Sequence, residues 1–151
     1  MRKILLPLLA SLAVATPALA NEARVEARGG VFWLPGASKG TAGVAAGYDY
    51  DLGSSAFVGA EVSADKILTS GTKVAFGFNG RIGAKLDKAK LFVAGGYTTK
   101  PCDFCDGSWD AGAGVEYNFI SNVYGKVEYR HYFTKNADDS DALVAGVGLK
   151  F

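Results

Sequence analysis

Shortages in the sequence remove whole classes of protein. The 151 residues include one histidine, one methionine, two cysteines and four prolines. His131, Cys102 and Cys105 do not make up the four Cys and His ligands of a structural zinc site. There is no excess of charge: Lys and Arg number 16, Asp and Glu 15, and the formal net charge is +1. A nucleic-acid binder needs a basic face, so that class is set aside. Beyond the first twenty residues no apolar run approaches the roughly 18 residues of a spanning helix. The length bounds the chain to one domain. What is present is apolarity spread thinly: 49% hydrophobic residues, 21% charged and 20 glycines. An average of that kind suits strands that alternate apolar and polar positions.

The first twenty residues read as an export signal. Arg2 and Lys3 form a positive start, Ile4 to Val14 a short apolar stretch, and Ala18-Leu19-Ala20 a small-x-small cleavage site. No Cys follows, so a lipid-anchored form is not expected. The expected organisation is a signal peptide over 1–20 and one domain over 21–151. Removing Arg2 and Lys3 leaves 14 basic against 15 acidic residues, and only Pro35 and Pro101 among the prolines.

The remainder reads as eight strands, at about 23–33, 41–50, 55–64, 72–85, 89–98, 108–119, 122–133 and 142–151. Strands of about 9–11 residues are what a membrane barrel needs. Three connections are short: Asp51 to Ser54, Leu86 to Lys88, and Ile120-Ser121. Four are longer: Leu34 to Gly40, Asp65 to Gly71, Thr99 to Gly107, and Thr134 to Asp141. Short turns at one end and longer loops at the other mark an outer-membrane barrel with both chain ends in the periplasm.

Alternation divides each strand into two faces. Val25, Ala27, Gly29, Val31 and Trp33 oppose Arg24, Glu26 and Arg28. Val123, Gly125, Val127, Tyr129, His131 and Phe133 oppose Tyr124, Lys126, Glu128, Arg130 and Tyr132. Over all strands the polar face carries Arg24, Arg28, Lys73, Arg81, Lys126 and Arg130 against Glu26, Asp49, Glu61, Asp110, Glu116 and Glu128. Equal numbers of each sign suit a closed interior, where an unpaired charge is costly. The other polar-face positions are mostly Gly and Ala, which leave room for long cationic side chains in a narrow lumen. The apolar face has aromatics at its ends: Trp33, Tyr97, Trp109 and Phe133 towards the long loops, and Tyr48, Tyr50, Tyr117, Phe119 and Phe151 towards the short turns. Two aromatic girdles around an Ala/Val/Leu band are the signature of a membrane interface. A soluble barrel of the lipocalin kind also alternates, and lacks that band.

Two stretches carry a family resemblance. Val123-Tyr124-Gly125-Lys126-Val127-Glu128-Tyr129-Arg130 is similar to the penultimate strand of the small eight-stranded outer-membrane barrels of Gram-negative bacteria, the opacity-type surface antigens and the barrel of outer membrane protein A. The last strand alternates up to a terminal Phe151, which in that family is read by the barrel-assembly machinery. Val144 departs from the pattern, which usually has a polar residue there. The resemblance implies an all-β, eight-stranded antiparallel up-and-down barrel in the outer membrane. It further implies contact with outer-membrane lipid and lipopolysaccharide, and a role as surface antigen, adhesin or envelope stabiliser set by the loops. With no peptidoglycan-binding domain after Phe151, the tethering role of larger members is not expected.

Three features remain as candidates for chemistry. Cys102 and Cys105 lie in the third long loop, and in an exported protein the first reading is a disulfide. A redox pair, or a metal site with Asp103 and Asp106, are the alternatives. His131 points to the apolar face beside Phe133 and reads as an interfacial residue. Some barrels of this size are lipid A deacylases with an outward Ser-His-acid set, but Phe133 stands where that set has its Ser. The lumen charges read first as a structural network, with a small ion leak as the alternative. The expectation is a non-enzymatic surface protein without cofactor or metal, presenting four loops to a host or environmental ligand.

Overall fold

A computed structural model describes residues 21–151; the signal peptide expected over 1–20 lies outside them. Eight strands are formed: β1 (Asn21–Leu34), β2 (Ala37–Leu52), β3 (Ala56–Ile67), β4 (Val74–Leu86), β5 (Ala89–Thr98), β6 (Ser108–Ile120), β7 (Val123–Phe133) and β8 (Ser140–Lys150). Each pairs antiparallel with the next, and β8 pairs with β1, so the sheet closes into a barrel in chain order. Closure removes the two open edges that a strand sheet would otherwise present. Beyond the ladder, Phe151 and Ala23 exchange backbone hydrogen bonds at 2.9 and 3.2 Å and finish the seam at its lower end.

The division into faces follows directly from the period of two. In β7, Tyr124, Lys126, Glu128 and Arg130 are buried, while Val127 and Tyr129 between them are exposed. In β8, Ala142 and Lys150 are buried, and Leu143, Val147 and Leu149 are exposed. The barrel is therefore inverted relative to a soluble protein: charged residues fill the inside, and Val, Leu, Ile and aromatic residues cover the outside.

The turns match the expected lengths except for one. β2–β3, β4–β5 and β6–β7 are joined by short turns at one end, using Gly53 (φ 77°) and Asp87 (φ 47°) in the left-handed region. Residues 68–73, 99–107 and 134–139 form longer loops at the other. The first connection is shorter than expected. Instead of a loop from Leu34 to Gly40, only Pro35 and Gly36 turn, and Leu34 pairs with Ala37. Pro presets φ at the first turn position and Gly36 takes φ 76° at the second, which together reverse the chain in two residues. The β1–β2 hairpin consequently runs past its neighbours: β1 pairs with β8 only up to Trp33–Asp141, and β2 with β3 only from Thr41–Ile67.

Candidate functional site: the charged lumen and the outer loops

The lumen is organised around two carboxylates. Glu61, from β3, receives Arg24 Nη1 at 2.7 Å, Arg28 Nη1 at 2.9 Å and Lys126 Nζ at 3.3 Å, with Arg130 Nη2 at 3.8 Å. Asp49, from β2, accepts from one edge of the Arg81 guanidinium through both its oxygens, from Nε at 2.8 Å and from Nη2, and from Lys90 Nζ at 3.1 Å. Arg24 joins the two centres, with its Nε 3.7 Å from Asp49. Around them Glu26 holds Lys126 Nζ at 2.6 Å and the Tyr124 hydroxyl at 2.9 Å. Glu116 receives Arg81 at 3.2 Å and also Lys150. Glu128 is bridged by Arg130, whose other face lies 3.7 Å from Asp110. The Arg81 guanidinium sits between the Phe57 and Phe92 rings, 5.1 and 4.9 Å from their centroids, both rings themselves buried. A cation between two ring faces has little water left to lose and gains from both quadrupoles.

Eleven of the twelve residues expected in the lumen are buried there. Lys73 is the exception. It lies in the loop before β4, with a side chain 61% exposed, and pairs with Asp103. Alternation carries its inward parity on paper past the point where the strand leaves the wall. Three contributors were missed. Lys90 and Lys150 are buried on the inward rows of β5 and β8, and Asp65 grips Arg28 through both carboxylate oxygens. Parity alone would have placed them; their positions near strand ends hid them. The mouth at the short-turn end closes on Glu22, which bridges Lys90 at 2.6 Å and Lys150 at 3.0 Å, and on an Asp51–Lys85 pair at 2.6 Å.

On the outer surface, Trp33, Tyr48, Tyr50, Tyr97, Trp109, Tyr117, Phe119, Phe133 and Phe151 are all exposed. Phe78, Tyr97, Trp109 and Phe133 are register partners on four successive strands, with Tyr97 and Trp109 edge to face at 5.5 Å. Val144, the departure in the last strand, faces inward and lines a small cleft with Phe32 and Tyr132, whose rings lie 5.3 Å apart.

In the loops, Cys102 and Cys105 are joined by a disulfide. Their loop is tied on both sides: Lys73 N donates to the Pro101 carbonyl at 2.7 Å and Lys73 Nζ to Asp103, while Asn136 Nδ2 donates to Asp106 at 2.9 Å. The Lys73 ammonium holds the Asp103 carboxyl below the usual carboxylate range. His131 is at the outer rim. Its Nδ1 lies 2.7 Å from Asp141 and its Nε2 3.5 Å from Asp139, and its ring meets Phe133 edge to face at 4.6 Å. Among the described residues no group of three or more His, Cys, Asp or Glu is arranged to hold a metal.

Known proteins place this geometry. Residues 5–151 match the model of the outer membrane protein beta-barrel domain. A 25 kDa outer-membrane immunogenic protein of Brucella ovis is 30% identical over 94 residues, 54% of this chain and 47% of that protein, so the chain spans about half the length of this relative. Among solved structures, the N-terminal β-barrel domain of Pseudomonas aeruginosa OprF aligns with TM-score 0.66 at 16% identity, over 86% of this chain and 97% of that one. Ail, the attachment invasion locus protein of Yersinia pestis, aligns at 0.60 and 13%, over 88% and 99%. The outer membrane enzyme PagL aligns at 0.57 and 16%, over 83% and 97%. At such identities the structures speak for the fold alone. The match over nearly the whole sequence does more: the chain belongs to the outer membrane protein beta-barrel domain family.

Proposed function

We propose that this protein is a non-enzymatic surface protein, anchored by its lipid-facing wall, plugged by its lumen, and active through its three longer loops and the β1–β2 hairpin. The observation that carries this reading is the contrast between a lumen filled with interlocked buried charges and a loop layer tied together by its own contacts. A function routed through the barrel would have to break the network on Glu61 and Asp49; a function at the loops needs no rearrangement. Names among the similar proteins, an immunogenic protein and an attachment invasion locus protein, support the same reading. Loops are also where related scaffolds vary their role. In biogenesis, Phe151 and its outward row serve as the signal to the barrel-assembly machinery.

The test is to replace each of residues 68–73, 99–107 and 134–139 by a short turn, one at a time. Cell adhesion and antibody binding should fall while heat-modifiable gel mobility, the mark of a folded barrel, is kept. Unchanged surface binding in all three variants overturns the proposal. PagL shows that the fold also houses an enzyme. Here His131 has carboxylate partners but Phe133 against its ring, and no hydroxyl group hydrogen-bonded to it among the described residues. His131→Ala should leave lipid A acylation as it is. Planar-bilayer recordings should be silent.

A further inference from the structure

The interior charges do not quite cancel. With Lys73 outside and Lys90, Lys150 and Asp65 inside, the lumen and the Glu22 that caps it hold seven cations against eight carboxylates among the described residues, and the Asp51–Lys85 pair adds one of each. Seven of those carboxylates have a cationic nitrogen at 3.0 Å or closer. Asp110 does not. Its nearest is Arg130 Nη1 at 3.7 Å, and Arg130 is already committed to Glu128 and lies 3.8 Å from Glu61. Asp110 Oδ2 accepts the Thr98 hydroxyl at 2.8 Å, while Oδ1 accepts no hydrogen bond. Lys39 has inward parity too, but it sits on the hairpin beyond the last β2–β3 pair, Thr41–Ile67, and makes no ion pair among the described residues.

The surroundings of Asp110 are short of partners in the same way. Asp110, Asn79 and Ser63 are 4, 5 and 6% exposed, and neither Asn79 amide atom nor the Ser63 hydroxyl has a hydrogen-bond partner among the described residues. Buried polar groups are as a rule paired, so three such side chains in one layer point to a ligand. Two glycines make the space for it. Gly96 stands between Asn79 and Asp110 in register, and a Cβ built on it would lie 2.6 Å from Asn79 Oδ1. Gly77 stands between Ser63 and Thr98, and a Cβ on it would lie 2.6 Å from Ser63 Oγ, 3.3 Å from Asn79 Nδ2 and 3.5 Å from Thr98 Oγ1. The oxygens offered are one carboxylate, one amide and two hydroxyls, the ligand type of a hard cation. Water would satisfy their hydrogen bonds but not the missing charge. One excess negative charge selects one positive charge, since a divalent ion would leave the lumen charged again. We propose that this layer binds a single alkali cation, sodium or potassium, between Asp110 Oδ1 and Asn79 Oδ1 across Gly96, with the Ser63 and Thr98 hydroxyls as further oxygens, directly or through water. The hydroxyls of Ser108 and Thr134, 3.0 Å apart, continue the oxygen lining towards the loops, while Arg81 between Phe57 and Phe92 closes the other side. The ion therefore completes the plug and does not pass through it. This rests on the lumen and not on surface adhesion, so either can fail alone.

The test follows stability and one carboxyl group in chloride salts of sodium, potassium and tetramethylammonium at equal ionic strength. The urea midpoint of the refolded barrel should rise and saturate with sodium or potassium, as for any ligand that binds only the folded state, and stay flat with the bulky tetramethylammonium. The Asp110 carboxyl carbon resonance should show an ionised group at neutral pH and should shift as sodium or potassium replaces tetramethylammonium. Asp110→Asn removes the excess charge and should abolish the cation dependence of the midpoint. Asn79→Leu, which keeps the size and the charge balance, should raise the half-saturating concentration several-fold. Crystals soaked in rubidium chloride should show an anomalous scatterer between Asp110 and Asn79. The proposal is overturned by equal midpoints in the three salts, or by a cation response that survives Asp110→Asn. A protonated Asp110 at neutral pH equally overturns it, and that readout needs no variant.

Discussion

Two Lys–carboxylate contacts in this barrel look alike on paper and differ in kind. Lys126 meets Glu26 inside the lumen, both side chains at 0% exposure. Lys73 meets Asp103 in the loops, at 61% and 64%. Inside, each charge has given up its water, so the contact is held by what losing either partner would leave behind; removing one member of a buried pair costs about 3–5 kcal/mol. Outside, water replaces whatever is lost, and the pair only chooses among loop conformations. The lumen network is therefore a condition of folding, whereas the loop contacts shape a surface that the barrel holds whether or not they form.

Breaking the comparison at its strongest point means removing Glu61. Glu61→Ala leaves Arg24, Arg28 and Lys126 without their shared anion and should lower stability by about 3–5 kcal/mol, read from urea unfolding of the refolded barrel. A change under about 1 kcal/mol would mean that water reaches this layer, as at a surface site. Next in size is the Arg81–Asp49 pair. Arg81→Leu and Asp49→Asn should each destabilise, and the double variant should recover part of the loss, because two uncharged groups leave less to compensate. Measured as a double-mutant cycle, the coupling should exceed about 1 kcal/mol.

Smaller effects belong to the loops. Cys102→Ser with Cys105→Ser should speed hydrogen exchange in residues 99–107 and leave the unfolding midpoint of the barrel unmoved. Smallest is the response to acid. Lys73 lowers the folded-state pKa of Asp103, so the contact favours the ordered loop above the unfolded carboxylate value, near 3.9, and is lost as pH falls through the lowered folded value. Between neutral pH and about 5 the loop spectrum should not change. Asp103→Asn should remove the acid step while barrel stability stays the same.

How much of this could be read from the sequence depended on range. Alternation is local, and it assigned Arg24, Glu26, Arg28, Glu116, Lys126, Glu128 and Arg130 to the inside correctly. It failed where the strand stops being wall: Lys73 keeps inward parity and yet leaves the barrel. It also failed at the Pro35–Gly36 turn. The residues from Ala37 to Gly40 resembled loop but continue the ladder, because only two residues need turn geometry. Partner choice was out of reach altogether. Arg24 and Glu61, or Tyr124 and Glu26, are brought together by barrel closure and not by spacing along the chain. The loop ties through Lys73 and Asn136 were hidden for the same reason.

The charge network also has a bearing on how the strands find their alignment. A strand that slips by two residues keeps every apolar side chain on the lipid side, so hydrophobicity is blind to that error. The charges are not blind to it. Such a slip of β7 would move Lys126 and Arg130 away from Glu61 and Glu26, and strand Tyr124 elsewhere along the lumen. The side chains that fill the lumen should therefore favour one register, penalising a class of mispairing that hydrophobicity alone would accept.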